Sequence, residues 1–183
     1  MTKAVALLRG INVGKAKRVA MADLRALVEG LGYRDAQTLL NSGNVVFGVP
    51  AKVRGDAAAR IEEGLAAKLG VTARVLVATA EEVAAAVAGD PFAGVATDPS
   101  KYLVTFVRDA AALASVTPLL DRDWTPDALR VGERVVYTWS PRGILQSDAV
   151  AALAKRLGDA GTARNWATVL KLHAMLGEGV NRR

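Results

Sequence analysis

The constraint that weighs most on this chain is an order of elements that occurs twice. Short apolar runs and amphipathic stretches follow one another as strand, helix, strand, strand, helix, strand, first over residues 1–79 and again over 100–164. In the first set, Lys3–Arg9 is an apolar run ended by Gly10 and reads as a buried strand. Met21, Leu24, Leu27, Val28 and Leu31 recur at helical spacing, and Gly30 and Gly32 stop that helix. Ala36–Leu40 and Val45–Val49 read as strands around Asn41-Ser42-Gly43-Asn44, where Ser-Gly suits a two-residue turn at positive φ. Val53–Leu69 is helical, with Ala57, Ile61, Leu65 and Leu69 on one face and Gly70 at its end. Arg74–Ala78 completes the set.

The second set opens with the strand Tyr102–Val107 and a short helix, Ala110–Val116, before Pro118. Leu129–Val131 and Arg134–Trp139 flank Gly132-Glu133, where a leading glycine suits a type II′ turn. Ser147 is a good N-cap for a helix to about Leu157, and Thr162–Arg164 is a short last strand. Between the sets lie a helix, Ala80–Ala88, with Glu81 and Glu82 in its first turn, and a linker, Gly89–Pro99. Asn165 caps a final helix, Trp166–Leu176, before a polar tail. The expected fold is α+β: two tandem ferredoxin-like (βαββαβ, α-β plait) units at 1–79 and 100–164. A linking helix and linker occupy 80–99, and a C-terminal helix and tail occupy 165–183. No residue-level repeat accompanies the repeated order.

Composition removes several chemistries. There is no Cys, which excludes disulfide scaffolds, cysteine zinc sites, iron–sulfur ligation and thiol catalysis. One His excludes two-His metal sites. No metal and no cofactor is expected. The stretch Ala4–Leu8 is too short for a signal-peptide core, and no apolar run reaches a membrane span, so the expectation is a cytoplasmic protein with no membrane partner.

Net charge is +6, and its placement matters more than its size. Residues 1–25 carry six bases and one acid, net +5; residues 155–183 carry six bases and two acids, net +4; the middle is net −3. Such asymmetry marks an anionic partner or a solubilising surface.

The expected topology gathers the polar motifs at sheet edges. A helix crossing from the first strand to the second puts their carboxyl ends together, so Arg9-Gly10-Ile11-Asn12-Val13-Gly14-Lys15 faces Asn41-Ser42-Gly43-Asn44. In the second unit, Ser140-Pro141-Arg142-Gly143 shares an edge with Arg164-Asn165. Glycines let N–H groups approach an anion, and a following helix N-terminus adds its dipole. The same residue types also form turns for purely local reasons.

Known signatures fail. Gly10–Ala16 lacks the P-loop spacing and hydroxyl, and no G-x-G-x-x-G follows a strand. Tyr137 and Trp139, two apart, share a strand face as base-stacking aromatics would, yet burial beneath a helix is their expected fate. His173 lies on an apolar stripe with Trp166, Val169, Leu170 and Leu176 and reads as packed rather than catalytic. Arg164, Thr168, Lys171 and Met175 form the opposite stripe. Carboxylates stand singly, so paired-carboxylate chemistry has no support, and catalytic residues stay unassigned.

LLRGINVG (Leu7–Gly14), the helix start at Met21, LNSGNVVF (Leu40–Phe47), PRGILQS (Pro141–Ser147) and TARNWATVLKL (Thr162–Leu172) resemble a widespread bacterial family. It is known as domain of unknown function 1697. The resemblance covers nearly the whole chain. It implies two ferredoxin-like plaits and no established activity, substrate or catalytic residue. The chain departs from the family pattern at Lys15, where a second glycine is usual, and at Ala20, where Pro usually precedes Met21.

The reading that follows is a binding module for an anionic ligand, either a nucleotide-like small molecule or nucleic acid. Its candidate residues are Arg9, Asn12, Lys15, Asn41, Ser42, Asn44, Arg164, Asn165, Thr168 and Lys171. Two alternatives stand beside it: an enzyme of unrecognised type, and a structural or interaction protein whose motifs only brace the units.

Overall fold

A computed structural model describes residues 1–177; the tail predicted beyond the last helix lies outside the described residues. The chain divides into two compact units, Met1–Ala80 with the chain from Ala174 on, and Glu81–His173. Each is an α+β layer structure built on its own four-stranded antiparallel sheet.

The first sheet holds β1 (Thr2–Arg9), β2 (Arg34–Leu39), β3 (Asn44–Val49) and β4 (Arg74–Thr79) in the order β2-β3-β1-β4. Helices α1 (Met21–Gly30) and α2 (Ala57–Leu69) cover one face. They bury Leu24, Leu27, Val28, Ile61 and Leu65 against Ala4, Ala6 and Leu8 of β1 and Val45 and Phe47 of β3. The alternation of β1 and the helical spacing of α1 select these faces. Helix α2 starts at Ala57 rather than Val53. Asp56 caps it by accepting from the N–H groups of Ala58 (2.9 Å) and Ala59 (3.4 Å), which fixes the first turn there.

The first hairpin also departs from expectation. Its loop has four residues, Leu40 to Gly43, and the left-handed positions are Leu40 (φ 59°) and Gly43 (φ 86°), not a Ser-Gly pair. Asn44 is the cause: it pairs in register with Leu39, and its fully buried amide donates to the Leu39 carbonyl (2.7 Å) and Ser42 Oγ (3.1 Å). Those bonds draw Asn44 into the strand and leave the reversal to the residues before it.

The second sheet holds β5 (Tyr102–Val107), β6 (Ala128–Val131), β7 (Val135–Trp139) and β8 (Gly161–Asn165) in the order β6-β7-β5-β8. On one face α6 (Asp148–Leu157) contributes Leu153 and Leu157 to a core with Val107, Leu129 and Val136. Ser147 caps α6, accepting from the Val150 N–H at 3.0 Å. On the other face Tyr137 and Trp139 are buried, and the Tyr137 hydroxyl donates to the Ala86 carbonyl (2.7 Å) of α3 (Ala80–Ala88). Helix α3, expected as a link, is thus packed into this unit, where Glu82 also pairs with Arg134.

Two further expectations are corrected here. The helix expected over Ala110–Val116 is two, α4 (Ala110–Ala114), capped by Asp109, and α5 (Thr117–Leu120), with Pro118 in its first turn. The second hairpin turns at Glu133-Arg134, one residue late, since the Gly132 N–H donates to the Val135 carbonyl at 2.8 Å. Gly132 serves a different end: a Cβ there would sit 2.9 Å from the Tyr137 ring and Val135. Arg134 anchors the turn through the carbonyls of Val107 and Arg108, each at 2.9 Å.

The final helix, α7 (Trp166–Gly177), follows β8 directly. Asn165 caps it, accepting from the Thr168 N–H at 2.9 Å. Trp166 stacks on Tyr102 with ring centroids 4.8 Å apart.

Candidate functional site

In the first unit β1 and β2 are each antiparallel to β3, so their carboxyl ends share one sheet edge. Asn44 lies opposite both Leu7 and Leu39, and the Leu8 N–H donates to the Gly43 carbonyl at 2.8 Å. The two loops are thereby tied at their bases. Asn12 ties them again further out. Its Nδ2 donates to the carbonyls of Asn41 (2.8 Å) and Val19 (2.9 Å), and its Oδ1 accepts from the Val19 N–H (2.8 Å). The Asn12 N–H closes onto the Lys17 carbonyl at 3.0 Å.

The loop so closed has an unusual backbone. Gly10 (φ 70°), Asn12 (φ 53°), Gly14 (φ 62°) and Lys17 (φ 50°) all take left-handed conformations. Asn tolerates that region and Lys does not, so the Lys17 conformation is imposed by the hydrogen bonds around it. Lys15, Lys17 and Arg18 stand exposed on this loop, and none forms an ion pair among the described residues. The loop feeds α1, whose cap position is Ala20 and offers no side-chain acceptor to the first-turn N–H groups. By contrast α2, α4, α6 and α7 all begin with a side-chain cap.

The other candidates of this edge sit differently. Asn41 and Ser42 are exposed; the Asn41 carbonyl and Ser42 Oγ accept the bonds already given. Asn44 is fully buried, with its amide donating locally. Arg9 is half-buried at the end of β1, opposite Arg74.

In the second unit β7 and β8 end on either side of the start of β5, so the Ser140–Gly143 turn and Arg164-Asn165 share an edge. The Ser140 N–H donates to the Lys101 carbonyl (3.0 Å), and Lys101 Nζ to the Pro141 carbonyl (3.2 Å). Arg164 lies in β8, the short last strand expected there, opposite Val104 and on the sheet face of Tyr137. Thr168 is buried. The stripe Arg164–Thr168–Lys171–Met175 is therefore not a continuous basic helix face; Lys171 alone of its cations stands exposed on the helix. Arg164 donates to the Ala163 carbonyl at 2.8 Å. It keeps some open surface, yet burial pulls its guanidinium down to about 10, still cationic at neutral pH.

A third cluster carries no weight in the sequence reading. Ser140 Oγ donates to Ser147 Oγ (2.9 Å), and Ser147 Oγ donates to Asp127 Oδ2 (2.7 Å). Asp127 borders a hollow of about 350 Å³ with Arg122, Trp124 and Arg142. The available signal is the turn-rich segment Asp121–Asp127, which brings charges and an aromatic together between helix and strand. Among the described residues no group of three or more His, Cys, Asp or Glu is placed to hold a metal ion. No helix among them is long and apolar enough to cross a membrane.

A family model described as "Protein of unknown function (DUF1697)" matches residues 1–137. The solved structure of the conserved bacterial protein SP0830 from Streptococcus pneumoniae is similar in fold, with a TM-score of 0.77 and 24% identity. The match covers 96% of this chain and 98% of that one. No curated protein gives a significant match.

Proposed function

The chain belongs to the DUF1697 family of proteins of unknown function, and from that footing we propose that it is a binding module for an anionic ligand, seated on the Gly10–Arg18 loop. The observation that carries the reading is the loop itself. Three exposed cations, Lys15, Lys17 and Arg18, with no ion-pair partner among the described residues, sit on a backbone held in four left-handed positions. Holding Lys17 there costs on the order of 1 kcal/mol. The N-terminus of α1, without a side-chain cap and with Asp23 in its first turn, follows at once, and its dipole favours negative charge. The ligand class is a nucleotide-like small molecule or nucleic acid. In this reading Asn12, Asn41, Ser42 and Asn44 shape the loops, while Lys15 and its neighbours meet the anion. Arg9 and, in the second unit, Arg164, Asn165, Thr168 and Lys171 remain secondary candidates. The strand orders and the antiparallel pairing support reading the elements within 1–79 and within 100–164 as ferredoxin-like plaits, with α3 and α7 packed beside them.

The test is titration of the full chain with tripolyphosphate, ATP and a labelled single-stranded oligonucleotide at 50 and 200 mM salt. The combined Lys15→Ala, Lys17→Ala, Arg18→Ala variant should lose affinity on the order of tenfold or more with little change in melting temperature. Oligonucleotide binding through three phosphates should show a log–log salt slope of about −2. Absence of binding to all three probes, or undiminished binding by the variant, refutes the reading. The bracing alternative has its own observation, the local bonds of Asn12, Asn44 and Asn165. It predicts that substitutions there change stability and that no probe binds.

A further inference from the structure

We propose that the second unit carries a separate site for a small zwitterion of the α-amino-acid class, in the hollow between the Arg122–Asp127 loop and the start of α6. The hollow, of about 350 Å³, is lined by charges of both signs, among them Arg122, Arg142, Asp127 and Asp148. None of these forms an ion pair among the described residues. Opposite charges that border one space without closing on each other leave a gap for a ligand to bridge. A simple anion entering it meets three carboxylates, those of Asp123, Asp127 and Asp148, and a simple cation meets two guanidinium groups. A zwitterion satisfies both sets at once.

One charge of each sign is fixed in advance. The Arg122 guanidinium lies over the Trp124 ring, 4.2 Å from its centroid, and the indole is itself held by Nε1–H donating to the Leu119 carbonyl at 2.7 Å. Asp127 is fixed through Oδ2 by the hydroxyl of Ser147 at 2.7 Å. Ser147 is buried and held in turn by Ser140 Oγ (2.9 Å) and the Val150 N–H (3.0 Å). Preorganisation of this kind lowers the ordering cost of binding. Asp123, the third carboxylate of the lining, accepts at Oδ1 from the Thr125 N–H (2.9 Å) and Oγ1–H (2.6 Å). Asp127 and Asp148 would take the ammonium, and Arg122 with Arg142 the α-carboxylate. Beyond Arg122 a second hollow, of about 370 Å³, is bordered by Lys155 and Arg156. That places basic groups where the side chain of an acidic amino acid would extend.

The experiment is isothermal titration of the full chain with L-glutamate and with glutarate, which keeps both carboxylates and lacks the amine. L-glutamate should bind, with glutarate weaker on the order of tenfold. Arg142→Gln, at an exposed position, should weaken L-glutamate with the melting temperature unchanged. Asp127→Asn keeps an acceptor for Ser147 and should erase the preference over glutarate; if that variant does not fold, Arg142→Gln decides. Equal affinity for the two ligands, no L-glutamate binding at about 10 mM, or an unaffected Arg142→Gln variant overturns the proposal.

Discussion

Replacing Asn12 by alanine tests the loop that the functional reading depends on. The side chain makes three hydrogen bonds of 2.8 to 2.9 Å, two to Val19 and one to Asn41. A net intramolecular hydrogen bond contributes about 1 kcal/mol, and water recovers part of that at a half-exposed position, so their loss costs about 2 kcal/mol. The backbone adds to this. Asn12 sits at φ 53°, where alanine is disfavoured by roughly 1 kcal/mol and glycine is not. Asn12→Ala should therefore destabilise by about 3 kcal/mol. Asn12→Gly should cost less, by about 0.5–1 kcal/mol, because relief of the backbone outweighs the greater freedom of glycine in the unfolded chain. Urea unfolding followed by far-ultraviolet circular dichroism measures both, with equal slopes confirming that the folded and unfolded states compare like for like. An Asn12→Ala variant within about 0.5 kcal/mol of the parent, or a glycine variant less stable than the alanine one, would show that the loop is not held as argued.

Further outcomes follow from single sites. Gly43→Ala places a Cβ 2.8 Å from Leu8 Cβ and Ile11 Cδ1 at φ 86°, and should destabilise by more than about 2 kcal/mol in the same assay; a smaller loss refutes the close packing of that turn. Burial and the Asp90 carboxylate hold the Tyr102 hydroxyl well above its ordinary pKa, and burial raises Tyr137. The folded state thus binds these protons more tightly than the unfolded one, so their contribution is fully present below about pH 10 and is lost as pH rises beyond it. Alkaline unfolding should coincide with their ionisation at 295 nm, and ionisation of both before unfolding contradicts the burial. Ser147→Ala removes the α6 cap and the hydroxyl linking Ser140 to Asp127, and should cost about 1–2 kcal/mol by urea unfolding. A neutral result there removes the argument that Asp127 is held in place.

The sequence by itself determined the elements and their order. Apolar spacing located every strand within a few residues, and local chemistry located the caps at Ser147 and Asn165, because both signals act between residues close in the chain. It also placed Tyr137 and Trp139 inside, since large aromatics on a strand face seek burial. Asp56 is equally legible as a cap, whereas apolar spacing alone starts α2 four residues too early.

What the tertiary structure decided lies at longer range. Asn12 and Asn41 look like two turn formers until strand register brings them together across 29 positions and one amide closes both loops. Leu40 rather than Ser42 reverses the first hairpin because Asn44 is drawn into the sheet. Asp127 and Ser147, 20 positions apart, meet only once the loop before β6 and the start of α6 lie side by side. Periodicity and propensity report the few neighbours along the chain. Which polar groups are spent on one another and which stay available to a ligand depends on register and packing, and those belong to the folded molecule.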